Sequence, residues 1–303
     1  VQGGSFNGTP HYRFIISGSA SINGTSISEM WGDTASWAGG VQIYSSQVSI
    51  SNSTIFNGRT GGVSIFNCSP KLFNDTITTN GQDGGSIKYC YGVYGIGTAA
   101  NITRCSIIEN SYSYWREYNV YNNAYPDGYG TFWNGKWWDD YGWGCYRYEY
   151  SYRNTQGDIS GYGVYMEGGS TASLYNNTIS RNGWAPGGFY GYNYISEDAT
   201  HQAYIYYYWY CGNKCYGIGV LSANSSLNIE KNKIENNGFD PTGSLELPDY
   251  VCYYSGNDIK MDNSYGNISY NYIGNSSVLI NNTLSSPNIT CNKLFCDYGA
   301  GVG

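Results

Sequence analysis

The chain has 303 residues, of which only 12% are charged, and its formal net charge is −7. This acidic balance and the lack of basic clusters argue against nucleic acid as a partner, because phosphate recognition needs clustered Lys and Arg. No run is long or apolar enough to span a membrane, and no signal-type apolar segment opens the chain, so we expect a mature, processed product.

A unit with two aliphatic residues five positions apart recurs from SINGTSI and SISNSTI near the start to NISYNYI and NITCNKL near the end. Its last aliphatic residues form a first column: Ile27, Ile55, Ile77, Ile107, Ile179, Ile234, Ile273 and Leu294. Five residues earlier lies a second column: Ile22, Ile50, Leu72, Ile102, Leu174, Ile229, Ile268 and Ile289. Further upstream lies a third, which Arg13 and Phe14 interrupt in the first unit: Val41, Val63, Val93, Val164, Val220, Ile259 and Ile280. Three aliphatic positions in fixed register predict three short strands per unit around an aliphatic interior.

A polar position lies two residues before the end of each unit, and it becomes Asn in the last four units. Its members are Thr25, Ser53, Asp75, Cys105, Asn177, Asn232, Asn271 and Asn292. In a stack of strands, an inward Asn at a corner can bond its own turn and the Asn of the next unit. We therefore predict a buried asparagine ladder.

The motifs GGVSIFNCSPKLFNDTITTNG and GVYMEGGSTASLYNNTISRNG resemble the right-handed parallel β-helix repeat family. The resemblance implies an all-β fold, a single domain over residues 1–303 and about eight rungs. It does not choose a function, because the family includes polysaccharide lyases, glycoside hydrolases, phage tailspikes, adhesins and surface-layer proteins.

Every insertion enters between one unit and the next, at the same predicted corner of the coil. We place the inserted loops at about 29–40, 80–91, 110–162, 182–218 and 237–257. The two longest are rich in aromatic residues, as in AYIYYYWYCGNKCYG, and we predict that they pack side by side. The candidates for contact with a neighbouring subunit or a sugar are Trp133, Trp137, Trp138, Trp143, Tyr207, Tyr208 and Trp209. The alternative is that these side chains only pack the loop layer.

Twelve N-x-S/T sequons predict N-linked glycans: Asn7, Asn23, Asn52, Asn67, Asn74, Asn101, Asn176, Asn224, Asn267, Asn275, Asn281 and Asn288. Most fall at positions that we expect to face outward, and none lies inside the two longest loops. The alternative interpretation is that Asn, Ser and Thr are simply the turn residues of an all-β protein.

Nine cysteines leave at least one thiol unpaired within the chain, and Cys105 is the best candidate because its ladder position should be buried. We predict disulfides among the loop cysteines Cys145, Cys211, Cys215 and Cys252, which suits an oxidising compartment. Cys211 and Cys215 have no second cluster to complete a zinc site, so we predict no metal and no cofactor.

Carboxylates in the pattern of a glycoside hydrolase are not evident. Asp139 and Asp140 lie in a predicted loop, and we interpret Glu167, Asp258 and Asp262 as solvated turn carboxylates. Neither of the two histidines lies near a nucleophile motif.

The resulting hypothesis is a secreted, N-glycosylated structural protein of a cell-surface or extracellular assembly, with self-association into a filament. The alternative is a carbohydrate-active enzyme, either a polysaccharide lyase or a glycoside hydrolase, or a sugar-binding adhesin with a polysaccharide partner. Sequons together with predicted disulfides suggest a eukaryotic or archaeal source, and the small number of carboxylates would suit an acidic habitat.

Overall fold

The computed structural model describes residues 2–6, 9–30, 39–81, 89–110, 131–133, 136–138, 159–183, 190–196, 202–208, 215–238, 254–276 and 278–295. Every helix or strand found in these ranges is a β-strand. In chain order the strands are β1 (Gln2–Phe6), β2 (Thr9–Ile16), β3 (Ala20–Asn23), β4 (Ser26–Ser28), β5 (Val41–Ile43), β6 (Val48–Ser51), β7 (Thr54–Phe56), β8 (Gly61–Phe66), β9 (Lys71–Phe73), β10 (Thr76–Thr78), β11 (Tyr89–Ile96), β12 (Asn101–Thr103), β13 (Ser106–Ile108), β14 (Thr131–Trp133), β15 (Lys136–Trp138), β16 (Ile159–Glu167), β17 (Ser173–Tyr175), β18 (Thr178–Ser180), β19 (Tyr190–Ser196), β20 (Gln202–Tyr208), β21 (Cys215–Ala223), β22 (Ser226–Glu230), β23 (Lys233–Glu235), β24 (Tyr254–Asp262), β25 (Tyr265–Ser269), β26 (Tyr272–Gly274), β27 (Val278–Thr283), β28 (Ser286–Thr290) and β29 (Lys293–Phe295).

Three long sheets contain most of these strands, and the chain visits the sheets in turn. The first sheet has the order β1-β2-β5-β8-β11-β16-β21-β24-β27, the second runs from β3 to β28, and the third from β4 to β29. All neighbours in these sheets are parallel except β1, which pairs antiparallel with β2. This topology is consistent with a parallel β-helix, and the all-β prediction is confirmed.

The three aliphatic columns predicted from the repeat are confirmed by the strand register. In the third sheet Ile77 pairs with Ile55 and with Ile107. In the second sheet Ile102 pairs with Leu72 and with Leu174. In the first sheet the column extends further than the sequence indicated, because Phe14 pairs with Val41 and takes the place of the missing aliphatic residue.

These columns form one hydrophobic core that runs the length of the stack. Their members in the middle units are fully buried, whereas Ile289 and Leu294 in the last unit are 43% and 52% exposed. No described strand pairs with the outer edge of β28 or β29. Burial therefore decreases toward the last unit.

The gradient of burial predicts unequal costs for the same substitution. Ile179→Val removes one methyl group from a fully buried position and should lower the free energy of unfolding by about 0.5–1.5 kcal/mol. Ile289→Val is the matched control at an exposed position and should cost less. Urea denaturation followed by circular dichroism measures both, and equal costs would contradict this description of the core.

The predicted asparagine ladder is also confirmed, and its members are linked by side chains and backbone alike. Asn177 donates from its backbone N–H and its Nδ2 to Asn232 Oδ1, at 2.8 and 2.9 Å. Asn232 makes the same pair of bonds to Asn271 Oδ1, at 2.8 and 3.1 Å. Asn271 continues the ladder to Asn292.

The structure contains two further ladders that the sequence analysis missed. One links Asn80, Asn110, Asn182 and Asn237 at the corner after the third sheet. The other links Thr98, Ser170, Ser225, Ser264 and Ser285 at the corner after the first sheet. Each ladder residue follows a residue with positive φ, such as Thr79, Asn176 or Asn224. Each corner is thus a left-handed residue followed by an inward hydrogen-bonding side chain.

Glycines in the first sheet leave room for the ladder that follows the third sheet. A Cβ at Gly163 would lie 2.6 Å from the carbonyl oxygen of Gly219 and 2.7 Å from Asn182 Nδ2. Such contacts are too short for any side chain, so Gly is required where the ladder passes behind the sheet.

The described parts of the two longest predicted loops contain antiparallel hairpins. Strands β14 and β15 pair within the predicted loop 110–162, and β19 pairs with β20 within 182–218. The rest of these two loops lies largely outside the described residues, as do 31–38, 82–88 and 239–253 within the shorter loops. The single domain and the loop boundaries stay predictions.

Candidate functional surface on the first sheet

The outward face of the first sheet carries a second apolar cluster, separate from the core. Tyr91, Tyr94, Tyr162 and Tyr165, here called the tyrosine cluster, lie on neighbouring strands β11 and β16, where Tyr94 pairs with Tyr165 and Tyr91 with Tyr162. Their ring centroids are 5.1–5.4 Å apart along the chain of contacts from Tyr91 through Tyr94 and Tyr165 to Tyr162. Ile218 and Leu221 on β21 extend the cluster. An outward face would ordinarily be polar, so this face is built to be covered.

Tyr91 shows how completely the cluster is removed from water. Its ring is fully buried, and its hydroxyl accepts the Gly39 N–H at 2.8 Å and shares a 2.8 Å hydrogen bond with the Ser64 hydroxyl. Burial raises the pKa of Tyr91 well above its ordinary value. The phenol is therefore neutral and acts as a hydrogen-bonding anchor.

Glu167 lies at the end of β16 and binds two phenols of the tyrosine cluster. Tyr94 donates to Glu167 Oε1, and Tyr165 donates to Oε2 at 2.5 Å. Burial, and then the neighbouring carboxylate, raise the pKa of both tyrosines above their ordinary value. The expectation of a solvated turn carboxylate is wrong for Glu167, because the side chain is half-buried and both oxygens accept phenol hydrogen bonds.

Asp258 departs furthest from its predicted environment, because it is fully buried inside β24. In the register of the first sheet, Asp258 on β24 stands beside Gly219 on β21. At the corner after the third sheet, Ser276 occupies the ladder position that is Asn in the preceding units. Asp258 Oδ1 accepts hydrogen bonds from Asn237 Nδ2 at 2.9 Å and from the Ser276 hydroxyl at 2.6 Å. The pair of Asp and Ser thus replaces the pair of Gly and Asn, and the expectation of a solvated carboxylate is wrong.

The surroundings of the second oxygen of the Asp258 carboxyl group favour the protonated form over the carboxylate. Asp258 Oδ2 is buried without a hydrogen-bond partner among the described residues. Burial raises the pKa of Asp258 from 3.8 to about 7. Asp75, in the predicted ladder, shows the same effect to a smaller degree, because burial raises its pKa to about 6 although Ser53 N–H and Phe73 N–H donate to it.

Asp262 lies on the same outward column of the first sheet as Glu167. Glu167 pairs with Ala223, which pairs with Asp262, so the two carboxylates are two strands apart, about 10 Å at the usual strand spacing. Asp262 forms a 3.1 Å ion pair with Lys260 and is partly exposed. The small Ala223 side chain leaves space between the two carboxylates.

The sequons lie mostly on other faces of the molecule. Nine of their asparagines are exposed, and Asn275 and Asn281 are half-buried, which confirms the outward placement for the described residues. Within the described strands of the first sheet, Asn281 on β27 is the one sequon asparagine. Six sequon asparagines have positive φ: Asn52, Asn67, Asn74, Asn176, Asn224 and Asn275. Because Asn tolerates this conformation well, the corners account for part of the sequon excess.

Several predicted residues cannot be placed. Asp139, Asp140, Trp143, Trp209, Cys145, Cys211 and Cys252 lie outside the described residues. Trp133 lies on β14, Trp137 and Trp138 on β15, Tyr207 and Tyr208 on β20, and Cys215 on β21, but only their backbones are described. The proposed disulfides, the aromatic contacts and the glycans on all twelve sequons stay predictions, and Asn7 lies outside the described residues.

Cys105 is a buried free thiol, as predicted from its ladder position. Burial raises its pKa to about 12, so the thiol is neutral and unreactive at ordinary pH. Cys68 is likewise buried and free, and Cys291 is free and exposed.

Within the described ranges, no helix has the length and apolarity to cross a membrane, and no group of three or more His, Cys, Asp or Glu could hold a metal ion. Comparison with known proteins adds no relative: no protein-family model matches the chain, and no curated protein matches it in sequence.

Proposed function

We propose that this protein is a secreted, N-glycosylated structural protein of a cell-surface or extracellular assembly, and that copies of it associate into a filament. One observation carries the proposal. On the described surface, the first sheet carries the tyrosine cluster and one sequon asparagine, whereas nine sequon asparagines are exposed at the corners and on the second sheet. Sugars at these positions would keep those sides hydrated, and the two long aromatic loops, which contain no sequon, would remain free for protein contacts.

The finer form of the fold belongs to the same proposal. We take the coil to be right-handed with eight rungs, because crossovers between parallel strands of one sheet are right-handed in about 98% of cases. A stack of this kind has two ends with different surfaces, and contacts between unlike surfaces that do not close into a ring produce filaments.

The aromatic residues of the long loops supply the proposed contact between subunits. Replacing Tyr207, Tyr208 and Trp209 together with Ser should abolish assembly and leave the three parallel sheets folded, because aromatic anchors dominate the energy of interfaces. Sedimentation measures assembly, and circular dichroism reports the fold.

The matched control replaces Phe73, Tyr265 and Tyr270 with Ser. These three aromatic side chains are exposed on the second sheet and its corner, away from the first sheet, and their loss should leave assembly intact. Normal assembly of the Tyr207, Tyr208 and Trp209 variant would exclude these residues as the contact, and a monomeric wild type would exclude the filament itself.

A carbohydrate-active enzyme is the second candidate, and the column shared by Glu167 and Asp262 favours it. Inverting glycoside hydrolases hold two carboxyl groups about 6.5–9.5 Å apart, one as acid and one as base, which is slightly less than the two strand spacings, about 10 Å, between Glu167 and Asp262. The phenols that bind Glu167 and the Lys260 partner of Asp262 engage both groups, which favours a structural role. Release of reducing sugars from a polysaccharide panel, lost in both Glu167→Gln and Asp262→Asn, would support the enzyme instead.

A further inference from the structure

Three sequon asparagines are stacked in contact at the corner between the second and third sheets. Asn52 Nδ2 donates to Asn23 Oδ1 at 2.8 Å, and Asn74 Nδ2 donates to Asn52 Oδ1 at 2.8 Å. All three side chains are exposed. The three amides therefore form an outer ladder on the surface of the coil.

This ladder uses the atom that N-glycosylation would modify. In that reaction Asn Nδ2 bonds to the anomeric carbon of a phosphate-activated sugar, the phosphate leaves with the electron pair of the broken C–O bond, and Nδ2 releases one proton. Asn52 and Asn74 each already use an Nδ2 hydrogen in the outer ladder. Asn23 has no such bond from Nδ2 within the described residues, and its Oδ1 accepts from Asn52 and from the Ser51 hydroxyl at 3.0 Å.

The spacing of the ladder limits how many sugars it can carry. Neighbouring asparagines lie in adjacent units of the stack, which are about 4.8 Å apart, and a branched, hydrated sugar needs more lateral room than this spacing. A glycan on one asparagine therefore covers the amide of its neighbour in the next unit.

We propose that neighbouring sequons of this ladder are modified in mutual exclusion, and that Asn23 is preferred over Asn52. The inference rests on the proposed glycoprotein function and adds a rule for occupancy. The same rule applies to Asn267 and Asn288, which are paired in register on β25 and β28 with their side-chain amides 3.5 Å apart.

Protease cleavage can leave two neighbouring sequons on one peptide, so mass spectrometry can show whether both carry a glycan in the same molecule. Cleavage after Arg and Lys releases residues 14–59 as one peptide, which carries both Asn23 and Asn52. Intact-glycopeptide mass spectrometry of the native protein should find this peptide with one glycan, mainly on Asn23, and not with two. In an Asn23→Gln variant the glycan should shift to Asn52.

Residues 261–293 form a second peptide with an internal control. Asn267 and Asn288 should not be occupied together, whereas Asn267 and Asn275, which lie on different sides of the coil, should be found occupied on the same peptide. A doubly modified 14–59 peptide, or joint occupancy of Asn267 and Asn288, would overturn the rule. An unmodified 14–59 peptide in a protein glycosylated elsewhere would also overturn it, whereas twelve unmodified sequons would overturn the glycoprotein function as well.

Discussion

An Asn232→Leu variant is expected to unfold with a free energy about 3–6 kcal/mol lower than that of the wild type. The Asn232 side chain accepts the Asn177 N–H and Nδ2 and donates to Asn271 Oδ1 and to the Leu174 carbonyl, the last at 2.9 Å. Leu fills a similar volume but removes the partner of the buried Asn177 N–H, one of the two partners of Asn177 Nδ2, and the side-chain donor to the Leu174 carbonyl. Each such group costs about 1–3 kcal/mol. Urea denaturation followed by circular dichroism gives the difference.

Asn292→Leu is the matched control, because it changes the same residue type at the last position of the same ladder. Asn292 is only half-buried, so water can replace the hydrogen bonds that Asn271 loses. We expect a cost of about 1 kcal/mol, close to the net value of a solvated hydrogen bond. Similar costs for the two variants would mean that the ladder is not what stabilises the middle of the stack.

The second large effect is a loss of stability as the pH rises from about 4 to 8, caused by Asp258. Its pKa is raised to about 7 in the folded protein, against 3.8 as the ordinary value. The folded state therefore holds the proton more tightly than the unfolded state. Stability is complete below about pH 4 and is lost as the pH rises through 7. The difference corresponds to about 4 kcal/mol.

Asp258→Asn isolates this effect, since Asn is isosteric with the protonated acid and its Oδ1 can still accept from Asn237 and Ser276. The variant should match the wild type at pH 4 and exceed its unfolding free energy by about 4 kcal/mol at pH 8. Chemical denaturation at the two pH values measures both proteins, and parallel pH profiles would contradict a buried neutral acid. The pKa of Asp75 is raised to about 6, so Asp75 should also lower the free energy of unfolding as the pH rises.

The interior of the coil could be predicted from sequence because stacking repeats the same environment in every unit. Ile107 and Ile179 meet in the third sheet, so a constant spacing along the chain becomes a column in space. The ladder through Asn177 and Asn232 was found in the same way. The second ladder obeys the same rule, because an Asn lies three residues after Ile77, Ile107, Ile179 and Ile234.

The candidate surface could not be predicted, because outward positions do not share one environment. Tyr94 and Glu167 are far apart in the chain, and only the register of β11 and β16 brings the phenol to the carboxylate. The burial of Asp258 is unpredictable from the repeat for a related reason. Asp258 is buried against Ser276, which stands where the ladder after the third sheet otherwise has Asn, and no single spacing in the repeat connects the two changes.

The left-handed corners also affect how the stack responds to heating. At the corner between the second and third sheets, early units have Gly24, Asn52 and Asn74 in this conformation, whereas the last units have Tyr270 and Cys291. Side chains other than Gly and Asn pay about 1–2 kcal/mol there. In a one-dimensional stack, where each unit contacts only its neighbours, such costs are local. Because Ile289 and Leu294 in the last described unit are also exposed, heating should fray the described stack from β29 backward.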